Sequence, residues 1–264
     1  MTQAHTENWL ALRGATGVVM GATGGLGRPI AQAMSDVGMR LFVHGRSNLM
    51  RLEDLKVLPG VEQTALADVR SPDEVSELTA SISSWCGGRL DAFVYVVGVN
   101  PTAAAISQLT VTDWDLTVNV NLRGAFLATQ GLMPYLSAAE GGHIVLISSI
   151  FGLQSPANRA AYSASKHGIT GLVQSLAREE GSRLNINALA PGPAWGENVR
   201  HIFAEHAQRE GISVEEYTRS RFERIPMRRF LNPEELANIV LFLCSPRSSY
   251  INGQVIAVTG GAYE

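Results

Sequence analysis

Short apolar runs alternate along this chain with longer stretches of helical periodicity, and that alternation restricts the fold more than any other feature. Residues 16–20, 41–44, 61–67, 91–97, 144–147, 184–190 and 255–258 read as strands, rich in Val, Ile, Leu and Phe. Between them, apolar residues recur at helical spacing, as at Ile30, Ala31, Ala33, Met34 and Val37, and over 72–85, 112–136, 160–177 and 233–243. Strands that are apolar on both sides are covered on both faces, and parallel neighbours need a helix to carry the chain back. The pattern predicts a single doubly wound α/β domain, a parallel sheet of about seven strands with helices on both faces. At 264 residues, 45 % hydrophobic and 17 % charged, the chain can bury one sizeable core, and no repeat, low-complexity tract or linker divides it.

The first strand runs straight into Gly21-Ala-Thr-Gly-Gly-Leu-Gly27, and a helix follows. A glycine-rich turn between strand and helix lets the backbone approach a pyrophosphate and aims amide groups and the helix dipole at it. Gly21, Thr23, Gly25, Leu26 and Gly27 are therefore candidate cofactor-binding residues, although a lone glycine cluster is often only a tight turn. After the second strand come Arg46 and Ser47, placed to face an adenosine ribose. An acidic residue there would accept from a 2'-hydroxyl, whereas an arginine accommodates a 2'-phosphate, so NADP(H) is favoured over NAD(H). Gly24 restrains that reading, because the loop itself holds no basic residue.

Residues 144–166 carry the chemistry. Strand 144–147 ends in Ser148 and Ser149, and Tyr162 and Lys166 lie four apart on one face of the following helix. An ammonium beside a phenol favours the phenolate and moves a pKa of about 10 toward the working pH. Ser149 can set a second hydroxyl beside that phenol at the carboxyl end of a strand, where open α/β sheets bind ligands. A Tyr-Lys pair on a solvated helix is the bland alternative; the spacing from Ser149 argues against it.

Together, Gly21-x-x-x-Gly25-x-Gly27, Ser149, Tyr162 and Lys166 resemble the short-chain dehydrogenase/reductase family, in an oxoacyl reductase-like form, over about residues 13–262. The resemblance implies a Rossmann-type domain that moves a hydride between a nicotinamide cofactor and a ketone or secondary alcohol. It implies a cofactor half of about 13–110, a catalytic and substrate half of about 111–264, and a mobile lid over 193–225. Asp68 and Val69 match the adenine-contacting pair, Gly98 the turn beside the cofactor, and Pro191 and Gly192 the turn that caps the nicotinamide face. Tyr162 and Lys166 would also touch the cofactor. Asn121 matches the fourth catalytic position, where it would hold a water linking Lys166 to solvent. The chain departs from the family at Met20, at Tyr95-Val96-Val97, which replaces two bracing asparagines and an alanine, and at Gly196, which replaces a threonine.

Ile150, Phe151 and Trp195 are candidates to line the substrate pocket; oxoacyl thioesters, sugars or polyols, and cyclic ketones all remain open as substrates. A net charge of −3 with no basic run argues against a phosphate-neutralising nucleic-acid binder. Cys86 and Cys244 lie far apart without ligand-type neighbours, so neither a metal site nor a disulfide framework is expected, and a reducing cytoplasm fits. No apolar run approaches the roughly 20 residues of a membrane span, and the amino end does not read as a leader. The arginines of the 193–225 segment, Arg200, Arg209, Arg219, Arg221 and Arg224, are equally well a solvated helical face. Helices 112–136 and 160–177 carry apolar residues on more than one face (Leu122, Phe126, Leu127, Leu132, Ile169, Leu172, Val173), which predicts a homo-oligomer, a tetramer if the family's two interfaces are kept. A non-catalytic dinucleotide-binding regulator, and an epimerase or dehydratase on the same scaffold, remain the alternatives; a compact carboxyl end disfavours the latter.

Overall fold

The computed structural model describes residues 9–101, 103–139 and 141–262. The stretch up to residue 8 and the Arg200 side chain lie outside the described residues. Seven strands, β1 (Thr16–Met20), β2 (Arg40–Gly45), β3 (Val61–Leu66), β4 (Ala92–Tyr95), β5 (Gly142–Ile147), β6 (Leu184–Pro191) and β7 (Val255–Val258), form one sheet. Its order is β3-β2-β1-β4-β5-β6-β7, every neighbouring pair parallel. The order reverses at β1, with β2 on one side and β4 on the other, which opens a crevice at the carboxyl ends of the strands.

Successive side chains of the strands point to opposite faces, so each strand feeds two cores. Val19, Val43, Val94, Val145 and Ile147 face α1 (Gly27–Asp36) and the late helix Pro233–Leu243, meeting Ile30, Met34, Leu236 and Val240. Val18, Phe42, Phe93, Ile144 and Leu146 face the other way. There they meet Val75, Leu78 and Ile82 of the helix Pro72–Cys86, then Ala128 and Leu132 of Gly124–Ser137, and Ile169 and Val173 of Ala160–Glu180. In chain order the helices are α1; α2 (Leu49–Glu53); α3 (Pro72–Cys86); α4 (Val111–Val118); α5 (Gly124–Ser137); α6 (Ala160–Glu180); α7 (Glu197–Glu210); α8 (Val214–Glu223); and α9 (Pro233–Leu243). Local chemistry marks their ends. At α3, Ser71 accepts from Glu74 N at 3.3 Å, Pro72 opens the first turn, and Gly87 stops the helix at φ 64°; such a cap stabilises by about 1 kcal/mol.

Two expectations change. The fourth strand is shorter than 91–97: after Val96 N bonds Met20 O at 2.9 Å, the chain leaves the ladder to pass Gly21, where even a Cβ would lie 2.8 Å from Val97 N. The single helix over 112–136 is two α-helices, α4 and α5, joined by a π-helical turn, Asn119–Arg123. One inserted residue rotates the apolar stripe by about 100°, and in a segment with apolar residues on more than one face that rotation is masked.

Candidate active site

The crevice is lined first by the glycine turn between β1 and α1. Gly21 has φ 92°, and a Cβ on Gly27 would fall 2.1 Å from Gly21 O, so these two glycines are demanded by the turn itself. A Cβ on Gly25 would meet nothing within 4 Å. That glycine therefore faces open space, and the cradle fits a pyrophosphate laid on the amino end of α1. Leu26 turns inward onto the core beside α1, and Thr23 packs across to Gly45, its Cγ2 2.8 Å from where a Cβ would sit. Arg46 and Ser47 follow, both exposed.

Asp68 is bonded by Arg70, whose Nε donates to Oδ1 and to Oδ2 at 2.9 Å. That hydrogen bond, more than the charges of Arg70 and Arg46, holds the Asp68 carboxyl below its usual range. The pair is largely exposed and contributes no more than about 1 kcal/mol. Val69 is buried against Gly124, so its backbone, not its side chain, is what the crevice sees.

Strand β5 and helix α6 bring Ser149, Tyr162 and Lys166 together. Ser149 Oγ accepts from Phe151 N at 3.2 Å, and its hydroxyl acts on the phenol of Tyr162. Burial raises the Tyr162 pKa, and the Ser149 hydrogen bond and then the Arg159 charge oppose that rise. Lys166 is enclosed: its Nζ donates to Ile147 O at 2.8 Å and lies 5.9 Å from the centre of the Tyr162 ring. Burial pulls its pKa down to about 8. The expected pull of the lysine on the phenol is thus met by desolvation of both groups, and Arg159 supplies a cation that spacing did not reveal. Arg159 also ties the site's rim, donating from Nη1 to Asn100 Oδ1 at 3.0 Å and to Pro101 O at 2.7 Å.

Asn121 sits in the π turn, wholly buried. Its Oδ1 accepts from Val99 N at 2.8 Å; its Nδ2 donates to Val99 O and to Ser165 Oγ, each at 3.0 Å. Both amide hydrogens are committed, so the side chain has only the second lone pair of Oδ1 to offer a water. The two bonds to Val99 brace the segment after β4, where the family's asparagines are missing, and the third ties it to α6. Gly98 completes the cluster: a Cβ there would lie 3.5 Å from both Asn121 Oδ1 and Lys166 Nζ. Two serines that the catalytic spacing does not single out hold the helix in place. Ser165 Oγ donates to Tyr162 O at 2.8 Å, and Ser148 Oγ donates to Lys166 O at 3.0 Å. For the second, the Ser148-Ser149 doublet is the available signal in the sequence.

Ile150 is buried below the site and Phe151 meets Tyr162 edge-on, ring centres 6.2 Å apart. Trp195 packs into an aromatic cluster, against Phe203, Phe222 and Phe230 at 5.8–6.3 Å. Pro191 ends β6 buried, and Gly192 turns so close to Thr259 that a Cβ on it would lie 3.2 Å from Thr259 Cα. Gly196 precedes α7 and caps it with no side chain. Among the described residues no cluster of His, Cys, Asp and Glu could hold a metal ion, and no helix is long and apolar enough to cross a membrane.

A sequence profile described as enoyl-(acyl carrier protein) reductase matches residues 21–263. The 3-oxoacyl-[acyl-carrier-protein] reductase FabG of Thermotoga maritima is 32 % identical over 256 residues, covering 96 % of this chain and 99 % of the relative. An actinorhodin polyketide ketoreductase solved with NADPH superposes with a TM-score of 0.86 at 30 % identity, covering 94 % of this chain and 97 % of its own. A ligand-free aldohexose dehydrogenase of Thermoplasma acidophilum gives 0.85 at 27 % identity over 96 % and 95 % of the two chains. A doubly wound parallel sheet, a glycine cradle at its switch point and a Ser-Tyr-Lys cluster beside it agree with these likenesses over nearly the whole length: the chain belongs to the short-chain dehydrogenase/reductase family and is an oxidoreductase that transfers a hydride between a nicotinamide cofactor and a carbonyl or alcohol group.

Proposed function

We propose that this protein is an NADP(H)-preferring ketoreductase of the oxoacyl type, with Tyr162 as its general acid/base. The observation that carries the reading is the convergence of Ser149 and Tyr162 with Lys166, which is enclosed one turn along α6 with its Nζ 5.9 Å from the centre of the Tyr162 ring. Two hydroxyls at the carboxyl end of β5 suit a substrate oxygen, which favours carbonyl reduction over reduction of a carbon–carbon double bond. The nicotinamide, when bound, donates or accepts the hydride. Ser149 orients the carbonyl oxygen and Tyr162 gives it a proton; the raised pKa keeps the phenol protonated at neutral pH, as reduction requires. Lys166 holds positive charge beside the phenolate that remains, and Asn121 anchors the segment between Gly98 and the catalytic helix.

The cofactor would lie on Gly21, Thr23, Gly25, Leu26 and Gly27, with Asp68 and Val69 near the adenine, Gly98 beside the ribose, and Pro191 and Gly192 on the nicotinamide side. Arg46 supports NADP(H), as does the NADPH of the actinorhodin ketoreductase. An oxoacyl thioester is the substrate class we favour, given the oxoacyl reductase relatives. Residues 193–225 act as the lid, and Ile150 and Phe151 line the pocket floor. The two free cysteines suit a reducing cytoplasm. Tyr162→Phe tests the mechanism: the ring stays and the proton donor goes. Turnover of NADPH with a panel of an oxoacyl thioester, an aldose and a cyclic ketone should drop at least about 100-fold. Cofactor affinity should stay within a few-fold, and near-normal turnover in the purified variant would sink the assignment.

A further inference from the structure

Tyr95 closes β4 and is fully buried, yet its hydroxyl does not point back toward the strand. It donates to Val120 O at 2.7 Å, across 25 residues of sequence, inside the π turn. In an α-helix the amide of Gly124 would serve that carbonyl; here Gly124 N bonds Asn119 O, one residue farther back. The hydroxyl thus reaches the carbonyl whose usual amide partner the turn has diverted. Access depends on a bare Cα: a Cβ on Gly124 would lie 2.5 Å from Tyr95 Oη and 2.9 Å from Val69 Cγ2. Asn121 is the next residue after Val120, and its amide grips Val99 N, Val99 O and Ser165 Oγ.

We propose that Tyr95 is a positioning residue for Asn121: its hydroxyl holds the π turn in register, and the bare Cα of Gly124 leaves it room. The proposal rests on the reading of Asn121 as part of the catalytic machinery. Without the hydroxyl, Val120 O is left short of a partner in a dry site, and the turn relieves this by sliding toward α register. That slide rotates Asn121 off Val99 and Ser165 and loosens the segment beside Gly98 and Lys166.

The test compares Tyr95→Phe, Asn121→Ala and the double variant, with the ketone that gives the highest turnover in the panel. Tyr95→Phe should lower kcat about 10- to 100-fold with cofactor KM nearly unchanged, as a small misplacement near the chemistry does. In the Asn121→Ala background it should cost nothing more, because the residue it positions is already gone. Amide exchange at Val99, which donates to Asn121 Oδ1, should quicken in Tyr95→Phe as it does in Asn121→Ala, while β5 keeps its protection. Should Tyr95→Phe fold poorly, Gly124→Ala displaces the hydroxyl while keeping the tyrosine and should give the same loss of kcat and the same quickened exchange at Val99; its cofactor KM is not part of the comparison, because the added Cβ also meets Val69. Equal losses from Tyr95→Phe in both backgrounds, or normal turnover in it beside a slow Asn121→Ala, would overturn the proposal alone. Wild-type turnover in Asn121→Ala would instead overturn the role of Asn121 and the proposal with it.

Discussion

Lys166 keeps its ammonium out of water with a main-chain carbonyl, Ile147 O, as its hydrogen-bond acceptor, and burial brings its pKa to about 8. Near neutral pH it is charged, so it can stabilise a neighbouring phenolate without giving up its own proton. Tyr162 is pushed the other way by burial, with Ser149 and Arg159 limiting the rise. Burial therefore drives the two pKa values apart, one shift favouring the neutral phenol and the other the neutral amine. Arg46 is a different kind of residue, exposed and beside Asp68, so its value depends on the ligand it meets. A charge-assisted pair with a 2'-phosphate predicts that Arg46→Ala weakens NADP(H) by about 1.5–3 kcal/mol. NAD(H) should hardly change. Titration of both cofactors by fluorescence checks this, and equal losses for the two would refute a 2'-phosphate contact.

Among the elements, α7, α8 and the segment that follows them form a small core of their own. Phe203, Tyr217, Ile225 and Phe230 are buried together, and Phe203 meets Tyr217 edge-on at 5.1 Å. Trp195, expected against substrate, packs against that cluster. At the opposite end of the sheet, His143 follows Gly142 at the start of β5, near the backbone of Leu243 at the end of α9 and with its Nδ1 unpartnered. Burial pushes its pKa down to about 4, more than the Leu243 carbonyl and the Asp91 charge raise it. The folded value lies below the unfolded one of about 6.5, so between those pH values the unfolded chain takes up a proton that the folded chain refuses. Stability therefore falls as pH drops through that window, by about 2.5 kcal/mol at pH ~4.5, and is unaffected above it. His143→Gln should remove this part of the acid sensitivity. Denaturant unfolding at neutral pH and near pH ~4.5 measures it, and the idea fails if wild type and variant lose the same stability.

For the whole molecule, the surface left by α4 and α5 matters most. Leu132, Ile169 and Val173, which helical periodicity alone offers to a second subunit, are buried within the chain. Leu122 packs over Gly168, where a Cβ would lie 2.4 Å from its Cδ2. What remains outward is Val111, Trp114 and Phe126, 75 %, 38 % and 44 % exposed. Strand β7 also ends the sheet with β6 as its one neighbour. An apolar helix face and an open strand edge are both surfaces that a two-fold axis covers with a copy of themselves. We therefore expect a homotetramer, and Phe126→Asp should split it into smaller species. Light scattering over a dilution series decides: a single-chain mass for the wild type at micromolar concentration removes the argument.

The order of elements, the doubly wound class and the glycine turn are all legible in the sequence, because each depends on periodicity or on residues within one turn of the chain. The Ser149, Tyr162 and Lys166 cluster is legible for the same reason: a strand end and the next helix place it within 18 residues. The tertiary structure alone decided how Asn121 is held, that Arg159 faces Tyr162, and that Tyr95, standing where the family has an asparagine, reaches the π turn. The contacts of Asn121 and Tyr95 join residues 22–44 apart in sequence, as in Asn121 with Val99 and with Ser165. Periodicity cannot register them, since a π insertion shifts the helical phase by a single residue, and a buried hydroxyl finds its acceptor only once the sheet and both helices have packed.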